Sequence, residues 1–217
     1  MTEESSLRER LIDAGVDLVL TEGSASVGLR ETARRAGVSH GAPRRYFPTH
    51  HALLSAIAHR GFEDLGARFE AAVAEAATPR AQLEAVARAY VGYALERRGM
   101  FELMFRHDLL DSEPQAPGRS RLRRTTLPLF EHITRLVARC RAERDAAHEG
   151  TGSDAAPPPA VTAAALWSNL HGMAQLWAWG SLQLALGAPP PDGGPDDDQR
   201  DRLIAAVVAA HLGPVTS

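Results

Sequence analysis

Residues 36–47, AGVSHGAPRRYF, bring together three cationic or ionisable side chains, His40, Arg44 and Arg45, beside Gly41 and Pro43. Arginine binds phosphate and the edge of guanine through its planar fork of N–H donors. Gly41 has no side chain, so its backbone can approach a ligand closely, and proline is tolerated in the first turn of a helix. The pattern predicts a short helix whose open, positive N-terminus suits anionic phosphate.

Two helices are predicted ahead of this one, because apolar residues recur there at helical spacing. The first stripe is Leu7, Leu11, Ala14 and Leu18, and the second is Leu29, Ala33 and Ala36. Gly37 ends the second helix, and a turn follows over residues 37–39. The next helix runs for about two turns with Ser39 or His40 as its cap. Two short helices joined by a glycine-containing turn form a helix-turn-helix.

Basic charge is concentrated on this unit. Residues 28–60 hold six arginines and one acidic residue, a net charge of +5, whereas residues 1–27 carry −4 and the whole chain −3. A net acidic chain argues against bulk binding of polyanions, so any nucleic-acid site is a local patch. A second basic block, residues 119–144, carries +6. Its acidic and basic residues include pairs four apart, which favours a solvated helix face.

Helical periodicity continues through the rest of the chain, and no stretch alternates like a strand. Thr49 is placed to cap a long helix, and a last helix is predicted over residues 203–212. Residues 150–159 and 187–198 are rich in Gly, Pro and Asp and predict loops. The fold class is therefore predicted to be all-α.

Residues 161–188 contain no Asp, Glu, Lys or Arg and are long enough to cross a bilayer. The segment nevertheless holds several polar residues, and its tryptophans, Trp167, Trp177 and Trp179, do not form belts at its two ends. A helix that is apolar nearly all round is more typical of a protein core or a subunit interface. The sequence favours the second interpretation, with no membrane partner.

No enzyme class is predicted. The chain has no His-Glu-x-x-His or Glu-x-x-His motif and no lysine, which excludes Walker-type phosphate loops and Schiff-base chemistry. His50, His51 and His59 share one helix without nearby cysteine or paired acids, so neither a metal nor a cofactor is predicted. The single cysteine, Cys140, and the polar first ten residues indicate a cytoplasmic protein.

Residues 7–62 resemble the tetracycline-repressor (TetR) family of bacterial one-component regulators. The run ARRAGVSHGAPRRYF, followed by PTHHALLSAIAHRGF, looks like that family's helix-turn-helix and the start of its fourth helix. The stretch LWSNLHG, residues 166–172, is similar to the Trp–His–Gly signature of one branch. The resemblance implies a three-helix helix-turn-helix domain over residues 5–50 and a helical ligand-binding and dimerisation domain over residues 51–214.

By similarity, nine residues of this unit would contact DNA. Gly28, Arg30 and His50 would meet backbone phosphate, His40, Gly41 and Ala42 would face base edges, and Arg44, Arg45 and Tyr46 would contact phosphate or bases. The chain departs from the family pattern at three positions, where Thr32 replaces a branched aliphatic residue, Arg44 an aromatic one and His50 a frequent lysine. Arg34 and Arg35 fit either a DNA contact or a solvated helix face.

The resemblance further implies a sequence-specific DNA-binding transcriptional regulator, a homodimer that a small-molecule effector releases from a palindromic operator. An effector pocket could be lined by Met100, Phe101, Met104, Phe105, Trp167, His171 and Trp177, which could equally be ordinary core residues. The alternative is a helical small-molecule-binding dimer whose DNA-reading unit is degenerate. The sequence names neither effector nor operator, and it does not separate a repressor from an activator.

Overall fold

The computed structural model describes residues 3–106, 110, 119–147, 156–187 and 197–213. These ranges contain helices and no strand, which confirms the all-α prediction. The helices are α1 (Glu3–Glu22), α2 (Leu29–Arg35), α3 (Ala42–Tyr46), α4 (His50–Ala74), α5 (Pro79–Glu96), α6 (Arg98–Met104), α7 (Arg119–Ala147), α8 (Pro159–Ala178), α9 (Ser181–Ala185) and α10 (Asp197–Leu212). A 3₁₀ turn, Ser24–Ser26, lies between α1 and α2. Most of the two predicted loops lies outside the described residues.

The first of two compact units comprises Met1–Asp64 and Glu96–Thr126. Its apolar core includes Leu11, Leu18 and Ile57, which are fully or almost fully buried. Glycine allows helices to approach closely at two places. A Cβ atom on Gly15 would lie 2.9 Å from Cγ1 of Ile57, and one on Gly99 would lie 2.6 Å from the carbonyl oxygen of Val19. Helix α1 therefore packs closely against both α4 and α6.

The second compact unit comprises Leu65–Leu95 and Leu127–Ser217. It contains α8, the main helix of the charge-free segment that the sequence singles out. This helix ends at Ala178, and Gly180, with φ +75°, reverses the chain into the short α9. No helix in the described part of the chain is long and apolar enough to cross a membrane. The charge-free segment is two packed helices.

The compact units do not follow the two domains that the family resemblance implies. The contact boundary falls inside α4, after Asp64, and α6 belongs to the first unit. This happens because α6 packs on α1, as the close contact of Gly99 shows. The functional division after residue 50 stays a prediction.

Thr49 lies directly before α4, where the sequence predicts a helix cap. The backbone N–H of Ala52 donates to Oγ1 of Thr49 at 3.0 Å, which confirms Thr49 as a cap of α4.

Thr32 is fully buried in α2, and its hydroxyl has no hydrogen-bond partner among the described residues. An unpaired buried hydroxyl costs about 1–3 kcal/mol. The family's usual aliphatic residue would avoid this cost.

We expect Thr32→Val to raise the free energy of unfolding by about 1 kcal/mol, because it removes the unpaired hydroxyl and keeps the shape. Urea denaturation followed by circular dichroism measures the change. Thr32→Ser is the matched control. It keeps the hydroxyl and loses a buried methyl group, so it should lower stability. A Val variant less stable than the wild type would contradict the assignment.

Candidate nucleic-acid interface

Helices α2 and α3 form the predicted helix-turn-helix, with different bounds from those expected. The connection spans residues 36–41 rather than 37–39. Gly37 has φ +67°, a conformation that glycine adopts at little cost. The N–H of Val38 then bonds to the carbonyl of Ala33 at 3.0 Å, and a second turn joins the N–H of Ala42 to the carbonyl of Ser39 at 3.0 Å.

The predicted caps of α3 are wrong. Gly41 is the N-cap, and neither Ser39 nor His40 provides a side-chain cap. The second turn delays the start of the helix to Ala42, and Phe47 ends it in an extended conformation with its ring 2% exposed. Helix α3 has five residues rather than about two turns. Such a short helix has little macrodipole, so positive potential here must come mainly from the arginines.

The turn also has the spacing Gly-x-Ser-x-Gly, at Gly37, Ser39 and Gly41. In hydrolases this motif forms a strained turn from a strand to a helix, which exposes the serine as a nucleophile. Here the segment joins two helices, and the described residues contain no strand. The structural context of the hydrolase motif is therefore not present at this site.

Three arginines of the helix-turn-helix unit are exposed and have no ion pair or hydrogen bond among the described residues. They are Arg30 near the start of α2, and Arg44 and Arg45 in α3. His40, between the two turns, is exposed as well. The buried Pro43 and Phe47 hold α3 against the unit. The structure thus leaves the positive charge of α3 uncompensated at the surface.

The other arginines of the same segment are paired with acidic residues. Arg34 binds Glu31, and this hydrogen bond holds the pKa of Glu31 below its ordinary value. Arg35 binds Glu22 and Asp17 of α1, each at 2.7 Å, and the bond to Glu22 is the main cause of its raised pKa. Arg34 and Arg35 therefore match the solvated-face interpretation better than the DNA-contact one.

Arg60 belongs to the same paired group, because it binds Glu9 and Asp13 of α1 and Glu63 of its own helix. Of the six arginines in residues 28–60, three are thus neutralised within the first unit and three are not. The sequence could not sort all of them. Arg34 pairs with Glu31 three positions away, but the hydrogen bonds of Arg35 to Glu22 and of Arg60 to Glu9 span 13 and 51 positions.

The remaining predicted DNA-contact residues occupy the same unit. A Cβ atom on Gly28 or Gly41 would meet nothing within 4 Å, and Ala42 and Tyr46 are half-buried. His50 is exposed, and its Nε2 lies 2.5 Å from the carbonyl oxygen of Val27. A carbonyl only accepts, so His50 donates the N–H there and ties the start of α4 to the segment before α2.

The competing basic block lies on α7, and several of its arginines have partners within the second unit. Arg139 donates to Gln82 at 3.1 Å, Arg141 donates to Thr162, and Arg144 reaches the carbonyl oxygen of Leu212. The expected ion pairs between residues 131 and 135 and between residues 139 and 143 do not form among the described side chains. At these three positions, the arginine side chains therefore connect α7 to other parts of the second unit.

The predicted effector-pocket residues divide between the two units. Met100, Phe101, Met104 and Phe105 belong to the first unit, where the first three are buried and the two phenylalanine rings meet edge to face at 4.9 Å. Trp167, His171 and Trp177 lie on α8 in the second unit.

Trp167 and His171 meet Tyr90 of α5, a residue that was not among the predicted site residues. The indole N–H of Trp167 donates to the Tyr90 hydroxyl at 2.9 Å, and that hydroxyl lies 2.8 Å from Nδ1 of His171. Burial raises the pKa of Tyr90 and lowers that of His171, so both groups are held neutral. A tyrosine in register with an apolar stripe was the one available signal.

The match that decides the family includes residues of both units. The model of the tetracyclin repressor-like C-terminal domain matches residues 83–193, just over half of the chain. The chain belongs to the TetR family. The helix-turn-helix of this TetR protein, formed by α2 and α3, lies ahead of the matched region.

The curated relatives match a shorter part of the chain than the family model does. A 75-residue stretch is 33% identical to an uncharacterized HTH-type transcriptional regulator of Mycobacterium tuberculosis, in each of two strains. It covers 35% of this chain and 37% of the relative, so the match spans little more than a third of these curated relatives' length.

Solved structures match over nearly the whole chain. A protein of unknown function from Rhodococcus sp. RHA1 is 29% identical, with a TM-score of 0.71 over 95% of this chain and 93% of that one. The transcriptional regulator FadR from Bacillus subtilis, solved with stearoyl-CoA, is 13% identical, with a TM-score of 0.61 over 96% and 99%. At 13% identity, the similarity to FadR shows a shared fold alone.

We expect the stability of the TetR protein to fall as the pH drops below about 6.5, the ordinary pKa of histidine. The lowered pKa of His171 means that the unfolded chain binds its proton at a higher pH than the folded chain. Stability is therefore complete above the unfolded pKa and is lost below it. Urea denaturation between pH 7.5 and 5 measures the loss.

His171→Gln, which accepts a hydrogen bond without titrating, should make this loss smaller. His132 contributes separately, because burial, with a smaller effect of Arg135, lowers its pKa as well. His132→Gln is therefore measured beside it, and the double variant should show the smallest loss. An unchanged pH dependence in His171→Gln would refute the assignment.

Proposed function

We propose that the protein is a sequence-specific DNA-binding transcriptional regulator, a repressor that a small-molecule effector releases from a palindromic operator. One observation carries the proposal. The helix-turn-helix exposes Arg30, Arg44 and Arg45 without partners in the described part of the chain, while every other arginine of residues 28–60 is paired there. Unpaired arginines at such a unit bind phosphate and release counterions, which supplies most of the affinity for DNA. The proposed location is the cytoplasm.

A homodimer is part of the proposal, because one helix-turn-helix reads only a half-site. Helix α8 presents an exposed stripe at helical spacing, formed by Val161, Ala165, Leu176 and the following Trp179, which is 61% exposed. A Cβ atom on Gly172, on the same stripe, would meet nothing within 4 Å. An exposed apolar stripe with small residues at its centre favours close packing against a second helix.

Helix α10 is the second helix of the proposed dimer interface. Its exposed residues include Ala206 and Ala210, one turn apart. Asn169 of α8 and His211 of α10 share a hydrogen bond of 2.8 Å, which links the two helices at the surface. We propose that α8 and α10 pack on their symmetry mates in a two-fold dimer, an arrangement that buries the same patch on both subunits.

The proposed release mechanism is a population shift. DNA favours a dimer whose two reading helices lie about 34–36 Å apart, the spacing of successive major grooves. An effector that binds better to another state draws the population away from the DNA-binding one. FadR, with its bound stearoyl-CoA, offers one example of this fold holding a ligand. For this chain, effector binding and repression remain proposals.

We expect Arg45→Ala and Arg30→Ala each to weaken operator binding by at least roughly tenfold and to reduce the slope of log affinity against log salt by about 2, because the dimer carries two copies of each arginine. The operator is first selected from genomic fragments on the purified protein, and affinity is then measured by fluorescence anisotropy at several salt concentrations.

The matched control is the double variant Glu31→Gln/Arg34→Gln, which removes a paired cation together with its acid and leaves the net charge unchanged. Its affinity should stay close to that of the wild type. Undiminished affinity in both single variants would defeat the proposed reading surface. A folded dimer that enriches no genomic fragment would favour the alternative, a ligand-binding dimer with a degenerate reading unit.

We expect Ala165→Arg to convert the dimer to monomers, because it places a charge at the centre of the proposed interface. Operator affinity should then fall by roughly a hundredfold, since the two half-sites no longer bind together. Sedimentation equilibrium measures the mass, and anisotropy measures the affinity.

Ala160→Arg is the control for this variant. Ala160 is exposed on the same helix but lies about 140° around the helix axis from Ala165, at 100° per residue. It should remain a dimer. An Ala165→Arg protein that stays dimeric would place the interface elsewhere.

A further inference from the structure

Helix α3 has one buried side, which fixes the residues of the helix that can reach DNA. Pro43 and Phe47 are buried and lie four positions apart, so they share the side that packs on the first unit. At 100° per residue, Arg45 lies about 180° around the axis from the midpoint of this side, whereas Arg44 and Tyr46 each lie about 80° from it. Arg45 therefore lies on the outer face of α3, and Arg44 and Tyr46 lie on its two flanks.

The outer face of α3 carries a single long side chain. Besides Arg45 it includes Gly41, which has no side chain, and Ala42, which has one methyl group. A Cβ atom on Gly41 would meet nothing within 4 Å, so the face is open at that point. Because α3 has only five residues, it has no position for a second long side chain on this face. Arg45 is thus the side chain with which α3 can reach furthest outward.

The second helix of a helix-turn-helix lies in the major groove of DNA. The groove is about 12 Å wide, which is close to the diameter of one helix with its side chains. The outer face of such a helix consequently meets the base edges, and its two flanks meet the phosphates on either side. This orientation separates two neighbouring arginines, because Arg45 is directed at the bases and Arg44 at a phosphate.

The donors of an arginine select one base. The guanidinium group has five N–H donors and no acceptor. In the major groove guanine presents two acceptors, O6 and N7, whereas adenine and thymine each present one acceptor and cytosine presents a donor. Guanine is therefore the base that accepts both arms of the arginine fork. No ion pair or hydrogen bond holds the Arg45 side chain within the described part of the chain, so its donors are available.

We propose that Arg45 is a specificity-determining residue that binds O6 and N7 of one guanine in each operator half-site, and that Arg44 binds phosphate without reading sequence. This inference rests on the proposed function, because it names a base that the proposed regulator reads. A two-fold dimer carries two copies of Arg45. The two guanines should therefore occupy symmetry-related positions in the palindrome.

Base preference is the property that separates the two arginines. Both lie close to the phosphates in the proposed complex, so the loss of either lowers the affinity and its salt dependence. A residue that contacts a base also changes the preference at one position of the site, whereas a residue that contacts phosphate weakens binding to all sequences alike.

The experiment replaces each guanine of the selected operator in turn with 7-deazaguanine, which keeps the base pair but has a C–H group in place of the N7 acceptor. Symmetry-related guanines are replaced together. Affinity is measured by fluorescence anisotropy at low salt, where weakened variants still bind. For the wild type, one such replacement should lower the affinity at least about tenfold, because it removes a charge-assisted hydrogen bond from each half-site.

The same replacement should lower the affinity of Arg45→Ala by less than about twofold, because that variant has already lost the contact. Arg44→Ala is the matched control, since it removes the neighbouring exposed arginine of the same helix. It should bind every operator more weakly but should still lose at least about tenfold on the replacement. His40→Ala, which removes the exposed side chain in the turn before α3, should keep that loss as well. Circular dichroism confirms that each variant is folded.

Any of three results would overturn the inference: no replacement that weakens wild-type binding, a loss that persists in Arg45→Ala, or a loss that disappears in Arg44→Ala or His40→Ala. Each of them leaves the proposed regulator standing, because the wild type still selects and binds its operator. A folded dimer that enriches no genomic fragment would instead refute the proposed function and the inference together.

Discussion

Close packing of α1 is the constraint on which the first unit depends. Gly15 and Gly99 leave no room for a methyl group, because Ile57 and the carbonyl of Val19 lie where a Cβ atom would be. This packing brings the acidic residues of α1 within reach of α2 and α4. Asp17 and Glu22 then bind Arg35, and Glu9 and Asp13 bind Arg60. Exposed ion pairs add little stability, but they decide where positive charge remains.

The charge pattern has a functional consequence for a TetR protein with a net acidic chain. A uniform positive field would attract any polyanion, whereas three unpaired arginines on two short helices form a local patch. The reading unit is therefore defined as much by the arginines that α1 neutralises as by those that it leaves exposed. Arg44, a departure from the family pattern, is one of these three exposed arginines.

The second unit follows a different rule, since its main polar feature centres on the buried Tyr90, with Trp167 and His171 half-buried beside it. Tyr90, Trp167 and His171 satisfy one another's hydrogen bonds in a core that is otherwise apolar. Buried polar groups are costly when unpaired, so these hydrogen bonds make the contact between α5 and α8 specific.

The sequence by itself determined the helical fold class, the cap at Thr49, the helix-turn-helix position and the surplus of arginine there. These features depend on spacing within a few residues, which hydrophobic periodicity and local hydrogen bonding reveal. The predicted length of α3 was wrong, because the turn from Ser39 to Ala42 occupies the residues where the helix was expected to start.

Only the tertiary structure decided which arginines pair with α1 and which residue joins Trp167 and His171. Partners such as Glu9 and Arg60, or Tyr90 and His171, lie 51 and 81 positions apart. Their meeting depends on how whole helices pack, and no local pattern records that.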